Sequence, residues 1–151
     1  MLQLATKADR GAVNLLAQQV HDLHMGWRPD LFCETEEYYS AEAFDTHLKN
    51  RELYVAKLEG NVVGYVVLLI RNVCVPGMVS QRVMAISELC VHEACRGHGI
   101  GSQMMTDIRA LAKAFRCTDL KLNVYPENED AIRFYEANGF RIQTIGMEAP
   151  L

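Results

Sequence analysis

The sequence predicts a single α/β domain, a mixed central β-sheet with helices on both faces in the order β-α-α-β-β-β-α-β-α-β. Three observations predict it. Apolar residues recur at helical spacing between Val13 and Leu48, change to β-branched strand-like runs between Leu53 and Val91, and return to helical spacing twice after Gly99. Glu59-Gly60-Asn61 is a tight-turn signal between two strand-like runs. A glycine-rich stretch, Arg96 to Ser102, joins a strand to a helix. With 151 residues, 50% of them apolar and 23% charged, the chain can bury a core of its own. No composition shift or repeat divides it, so residues 1–151 are read as one domain.

The elements follow in order. Leu2 and Leu4 flank Gln3, the alternation of a short edge strand. Thr6 with Asp9 three residues on reads as a weak capping box. Val13, Leu16, Val20 and Leu23 then predict a helix from Lys7 to Met25, stopped by Gly26. Pro29 disfavours helix at Arg28, so Trp27 to Asp30 is a loop. Ser40 is placed to cap a helix from Ala41 to Lys49 with Phe44 and Leu48 inward. Leu53 to Leu58 and Val62 to Asn72 make the hairpin arms, and Pro76-Gly77 marks the next connection. Val83 to Val91 is apolar on both faces, as a central strand should be. A helix from Gly99 to Arg116 should bury Ile100, Met104, Ile108, Leu111 and Phe115. Asp119 to Val124 reads as a strand and Asn128 to Asn138 as a helix with Gly139 as its stop. Phe140 to Met147 reads as a final strand.

Charge and cysteine usage bound the function. Fifteen Lys and Arg against nineteen Asp and Glu give −4, which argues against a nucleic-acid partner and is compatible with a cationic substrate. Lys7, Asp9 and Arg10 follow Met1 with no apolar run between, so no signal peptide is expected. The longest apolar run, Val62 to Ile70, is too short to span a bilayer, so no membrane partner is expected. The five cysteines, Cys33, Cys74, Cys90, Cys95 and Cys117, are odd in number and form no CxxC pair. They are read as reduced thiols in a cytoplasmic protein.

The glycine stretch carries the chemistry. Alternating Gly97, Gly99 and Gly101 permit positive φ and close approach, and the helix behind them presents unpaired N–H groups. Together these make a phosphate or pyrophosphate cradle. A dinucleotide-binding turn fits poorly, because Ser102 stands where its third glycine belongs and an antiparallel hairpin comes first. A P-loop needs a lysine, and none lies between Gly97 and Lys113. His92, Glu93, Cys95 and His98 fail the HExxH spacing at Arg96, so solvated or locally bonded side chains are the simpler reading and no metal is expected. His21 and His24, one helical turn apart, offer too few ligands and suit surface or loop packing.

Arg96-Gly-His-Gly-Ile-Gly101 matches (Arg/Gln)-x-x-Gly-x-(Gly/Ala), and Asn128 to Phe140 matches Asn-x-x-Ala-x-x-(Phe/Leu)-Tyr-x-x-x-Gly-Phe. On these two blocks, and on an element order that agrees over nearly the whole chain, the sequence resembles the GNAT family of acyl-CoA-dependent N-acetyltransferases. The resemblance implies acetyl-CoA (coenzyme A) as co-substrate. The turn Arg96, Gly97, His98, Gly99, Ile100, Gly101 and Ser102 would hold its pyrophosphate through backbone N–H groups. A bulged strand end, Leu89, Cys90 and Val91, would pair with the pantetheine arm and polarise the thioester carbonyl. Asn128, Ala131 and Phe134 would complete the cofactor site.

The implied reaction is direct attack of a neutral amine on the thioester, with coenzyme A leaving as a thiolate. Tyr135 stands where the family places the proton donor; phenol and thiol pKa values, about 10 and 8.5, are close enough for that transfer. Its other reading is a core aromatic beside Phe134. Glu88 is the candidate base, the one carboxylate of the central strand. The histone-type branch of the family places its glutamate three residues earlier, where this chain has Ala85, and a water chain could serve instead. The acceptor, a small-molecule or peptide amine, would lie across the sheet. Trp27, Arg28, Asp30 and Tyr38, with Phe32, Glu34, Glu36, Glu37 and Tyr39 around them, are the candidates, since aromatics with carboxylates hold cations. Acidic residues before a helix also simply suit its dipole. A non-catalytic acyl-CoA sensor is the alternative on the same fold, and an NAD oxidoreductase a more distant one. Dimers are frequent in the family, and the apolar final strand is a candidate contributor to a homodimer.

Overall fold

A computed structural model describes residues 1–151. Its elements are β1 (Leu2–Leu4), α1 (Arg10–Trp27), α2 (Ala41–Lys49), β2 (Leu53–Leu58), β3 (Asn61–Val73), β4 (Gln81–Val91), α3 (Ile100–Ala114), β5 (Asp119–Leu122) and α4 (Glu129–Ala137). The five strands lie side by side in chain order. The first four pair antiparallel and β5 pairs parallel to β4, so the sheet is mixed as expected. The β2–β3 hairpin closes through Glu59 and Gly60, both at positive φ, the backbone a two-residue turn requires.

Strand alternation sends side chains to two cores. Leu53, Val55, Tyr65 and Val67 face α1 and α2, where they meet Val13, Leu16, Ala17 and Phe44. Tyr54, Ala56, Val66, Leu68, Met84 and Ile86 face α3, where they meet Ile100, Met104, Met105 and Ile108. Helices therefore cover both faces. A side chain such as Leu16, Phe44 or Ile108, removed wholly from water, contributes about 1.5–3 kcal/mol each.

Local signals explain most boundaries and correct some. Asp9 Oδ2 accepts from the Thr6 N–H and hydroxyl, both at 2.9 Å, so the capping box forms, but it closes a 3-10 turn over Lys7–Asp9 and α1 starts at Arg10. Gly26 does not stop α1; the helix runs one residue past it, and Pro29 sets the end by forcing Arg28 out of the helical region. Ser40 Oγ accepts from Ala43 N at 3.1 Å, the expected cap of α2. Phe115 lies past the end of α3 and is 40% exposed, so it leaves the predicted stripe, which continues through Ala112 instead. β5 stops at Leu122, two residues short of the expected Val124. Gly139, at φ 82°, ends α4.

The final strand predicted over Phe140 to Met147 does not form. Ile142, Ile145 and Met147 are 75%, 80% and 95% exposed. Apolar content is not sufficient for a strand, which also needs a ladder partner, and this segment pairs with no strand. It is held at its start by Phe140, whose ring packs on Tyr135 and under the Arg109 guanidinium, and near its end by an ion pair from Glu148 to Arg28.

Candidate active site

β4 is the spine of the site. Val67 pairs with Glu88 and Leu68 with Ile86, so Ser87 is an extra residue, a β-bulge. A bulge reverses the parity of everything after it. Met84 and Ile86 face α3, while Cys90 faces α1. Leu89 and Val91 take the α3 face. The sequence reading put the bulge at Leu89 to Val91; it lies just before Glu88, and it turns Glu88 toward α1 and α2.

The ladder between β4 and β5 ends at Ile86 and Leu122. Past that point β4 continues to Val91 and the following chain departs, leaving a wedge-shaped gap. The His92 N–H donates to Val63 O at 2.8 Å, so alternation aims the amides and carbonyls of Val91 and Leu89 the other way, into the gap. Arg96 Nε occupies the Val91 carbonyl at 3.0 Å and ties the glycine turn to the strand end. An extended amide-bearing ligand could pair with the edge that remains.

Beyond β4, Gly97 and Gly99 take φ of 76° and 79°, and neither would meet another atom through an added Cβ. They are required for backbone conformation, not for space. Gly99 is the N-cap of α3, so the N–H groups of Ile100, Gly101 and Ser102 begin the helix without intrahelical partners. They carry the positive end of the helix dipole. A surface cavity of about 340 Å³ opens there, lined by Leu58, His98, Gly99, Ile100 and Gln103 among others. The side chains of this stretch have partners of their own. Ile100 is 6% exposed and belongs to the core, so only its backbone can serve a ligand. His98 Nδ1 bonds the Arg96 carbonyl at 2.9 Å. Gly101 is a packing glycine: an added Cβ would come within 3.0 Å of Phe134 and 3.7 Å of Val91. That contact joins the two sequence blocks in space.

Asn128 caps α4, its Oδ1 accepting from Ala131 N at 3.2 Å. Two turns on, Tyr135 packs between Phe134 at 5.3 Å and Phe140 at 5.6 Å. Burial first, and then the neighbouring Cys90, push its phenol up to about 12. The Cys90 thiol is itself pushed up to about 11 by burial, although Arg96 opposes this. At neutral pH both stay protonated: Tyr135 keeps a proton to give, and Cys90 is no thiolate nucleophile.

On the other face, Glu88 Oε2 accepts from the Tyr65 hydroxyl at 2.7 Å. Tyr38 and Tyr39 also border this carboxylate, and burial followed by its charge raises both phenols, Tyr38 to about 12. The Tyr39 side chain is 5% exposed, with its hydroxyl beside the Glu88 carboxylate. Beside them stands an aromatic wall. His24 stacks on Phe32 at 5.0 Å and meets Tyr125 at 5.4 Å and Trp27 at 5.8 Å edge-on. Burial and His21 hold the His24 imidazole below its usual pKa, against the pull of Glu88. His21 Nε2 lies 2.7 Å from the Cys33 carbonyl, so both histidines pack the loop. Arg28 and Asp30 neutralise each other through two hydrogen bonds, at 2.9 and 2.7 Å, and Arg28 also pairs with Glu148 at 2.6 Å.

Of the sequence candidates, Glu88, Cys90, Tyr135 and Tyr38 converge; Arg28 and Asp30 are engaged with each other. Sequence reasoning missed Tyr65, Tyr125 and Gly64. Tyr65 needed the hairpin register, which sets it opposite Cys90. Gly64 had a signal, a glycine inside a strand, and an added Cβ there would lie 2.8 Å from the Cys90 carbonyl.

Comparison with known proteins agrees with this fold. The profile of the Acetyltransferase (GNAT) family matches residues 17–140. Structures of BH1408 from Bacillus halodurans match at a TM-score of 0.95, one of them, a tetramutant, with 32% identity, covering 100% of this chain and 99% of that one. A coenzyme A complex of the aminoglycoside N-acetyltransferase AAC(6')-Iy shares the fold at a TM-score of 0.70 and 17% identity over 100% of both chains. YwnH of Bacillus subtilis, whose name gives it a provisional phosphinothricin acetyltransferase activity, is 29% identical over 100 residues, 66% of this chain. The match spans 59% of that relative's length.

Proposed function

The chain belongs to the acetyltransferase (GNAT) family, and on that premise we propose that it is an acetyl-CoA-dependent N-acetyltransferase that moves the acetyl group to a primary amine by direct attack. Residues 1–151 form its one N-acetyltransferase domain. The observation that carries this reading is the opening of the β4–β5 ladder past Ile86 and Leu122, beside the positive end of α3, with Tyr135 near enough to Cys90 for the two to interact electrostatically.

The backbone N–H groups of the Gly97–Ser102 turn bind the pyrophosphate. The Leu89 and Val91 edge takes the amide-bearing pantetheine arm and brings the thioester to the strand. An N–H on that edge polarises the carbonyl as the amine attacks. The tetrahedral intermediate collapses by breaking the C–S bond, and Tyr135 passes its proton to the leaving sulfur. Glu88, on the acceptor face, takes the proton from the substrate ammonium before attack, directly or through water, so that the neutral amine is the nucleophile. Cys90 does not carry an acyl group, because its thiol is neutral and buried. No helix is long and apolar enough to cross a membrane, and the five free cysteines fit the cytoplasm.

The test is release of free coenzyme A from acetyl-CoA across a panel of amines. Amine-dependent release is expected. Tight acetyl-CoA binding with no release for any amine overturns the transferase reading in favour of an acyl-CoA sensor.

A further inference from the structure

The end of the sheet away from the glycine turn holds a second cavity, of about 270 Å³, beside the C-terminal end of α3. Leu68, Ile70, Met84, Tyr54 and Phe115 line it, and the exposed Arg51 completes the lining. Tyr54 is buried, and burial raises its phenol, while the Arg51 guanidinium is near enough to oppose that electrostatically. At neutral pH the lining therefore offers a protonated phenol and a cation beside an apolar floor.

Arg51 stands where the backbone suits glycine. After α2 the Arg51 N–H donates to Leu48 O at 3.1 Å and the Glu52 N–H to His47 O at 3.0 Å, a double closure whose left-handed residue is usually glycine. Here that residue is Arg51, at φ 57°. α3 ends in the same way. Arg116, at φ 56° and next in the chain to Phe115, donates to Lys113 O at 3.0 Å, and Cys117 donates to Ala112 O at 2.9 Å. Only three non-glycine residues take positive φ, and two of them are these arginines, at the helix ends that border one cavity. A side chain in that conformation is sterically costly, and residues so held cluster at ligand sites. The neighbouring carboxylate does not neutralise Arg51. Glu52 is bonded by His47 Nδ1 at 2.8 Å, and His47 packs on Tyr39 of the core on the other face of the sheet.

We propose that this cavity binds a small carboxylate with an apolar body, the body lying on Leu68, Met84 and Phe115 and the carboxylate meeting the Arg51 guanidinium and the Tyr54 hydroxyl. The site is separate from the candidate active site, so it stands whether or not the transferase reading does. Ile70 and Met84 pair on the regular ladder before the bulge of β4, whereas Glu88 and Cys90 follow it.

The experiment titrates the full chain with 3-phenylpropionate, with its primary amide and with acetate, following the Met84 methyl resonance and Tm, in the presence and absence of acetyl-CoA. 3-Phenylpropionate is expected to shift the Met84 methyl and raise Tm. The amide keeps the body and loses the charge, and its affinity should be about tenfold lower, the scale of one charge-assisted hydrogen bond. Acetate keeps the charge without the body and should bind more weakly still. Acetyl-CoA should leave the affinity for 3-phenylpropionate unchanged. Arg51→Gly should lower that affinity about tenfold and raise the Tm of the free protein by about 2–4 °C, because glycine suits the left-handed position. Arg51→Asn, which also tolerates that backbone, should repeat the loss of affinity. No shift of the Met84 methyl at millimolar acid, equal affinity for acid and amide, or displacement by acetyl-CoA overturns the proposal. Unchanged affinity in both variants with a lowered Tm makes Arg51 a structural residue and overturns it too.

Discussion

Tyr135 and Glu88 differ in what their surroundings ask of a proton, and each difference is measurable. With its phenol near 12, Tyr135 remains protonated over any practical assay range. Tyr135→Phe should therefore lower kcat on the order of a hundredfold to a thousandfold with acetyl-CoA affinity kept, and kcat for the wild type should show no alkaline limb from this group below about pH 11. Unchanged turnover would leave Tyr135 a packing residue of α4. For Glu88→Gln, loss of a base predicts activity that recovers as pH approaches the amine pKa, about 10. A deficit that is flat with pH would instead mark Glu88 as a positioning group for Tyr65. Asp9 tests stability at the same scale. Burial alone would raise its carboxyl, but the Lys57 ammonium at 2.7 Å and the Thr6 donors outweigh that and hold it below the usual range. A depressed carboxyl contributes stability above its unfolded pKa of about 3.9 and loses it as pH falls through the folded value. Asp9→Asn should cost about 2–4 kcal/mol at pH 7 in urea unfolding, and the gap from wild type should close below pH 4. A pH-independent gap would show that packing, not the ion pair, is lost.

At the scale of elements, legibility followed from how local each determinant is. The cap of α2 and the hairpin turn each depend on a few adjacent residues, and Ser40 and Glu59-Gly60 read correctly. Gly26 misled because a glycine is only a weak stop, while Pro29 acts on the backbone before it. The final strand misled because Ile142, Ile145 and Met147 give an apolar, strand-like segment for a ladder that has no other side. β3 offers a sharper test. Gly64 lets β3 lie against the Cys90 carbonyl and Met104 Sδ, where an added Cβ would meet them at 2.8 and 2.9 Å. Gly64→Ala should cost about 1–3 kcal/mol and weaken acetyl-CoA binding, since the backbone it displaces borders the gap. A stable variant with wild-type affinity would mean that β3 yields without moving β4.

At the scale of the molecule, one sheet supports two helical layers, and neither layer has a core without it. The chain should unfold in one transition, with far-UV circular dichroism and Trp27 fluorescence coincident, although Trp27 reports on only one face. Acetyl-CoA at a hundred times its Kd should add about 2.7 kcal/mol and raise both signals together. Separate transitions would show that the layers fold apart. The sequence by itself determined the class of fold, the glycine turn of Gly97 to Ser102 that opens α3 and the helix that carries Tyr135, because periodicity, turn chemistry and motif spacing are properties of neighbouring residues. The tertiary structure decided which way Glu88 faces. Parity along β4 would set Glu88 with Met84 and Ile86, toward α3, and the unpaired Ser87 reverses it. A bulge is defined by the register of two strands, and register is set by pairing across the sheet rather than by either strand alone. The same pairing brought Tyr65 to Glu88, and the packing of the loop after α1 brought Tyr39, so the cluster around Glu88 exists only in the folded chain.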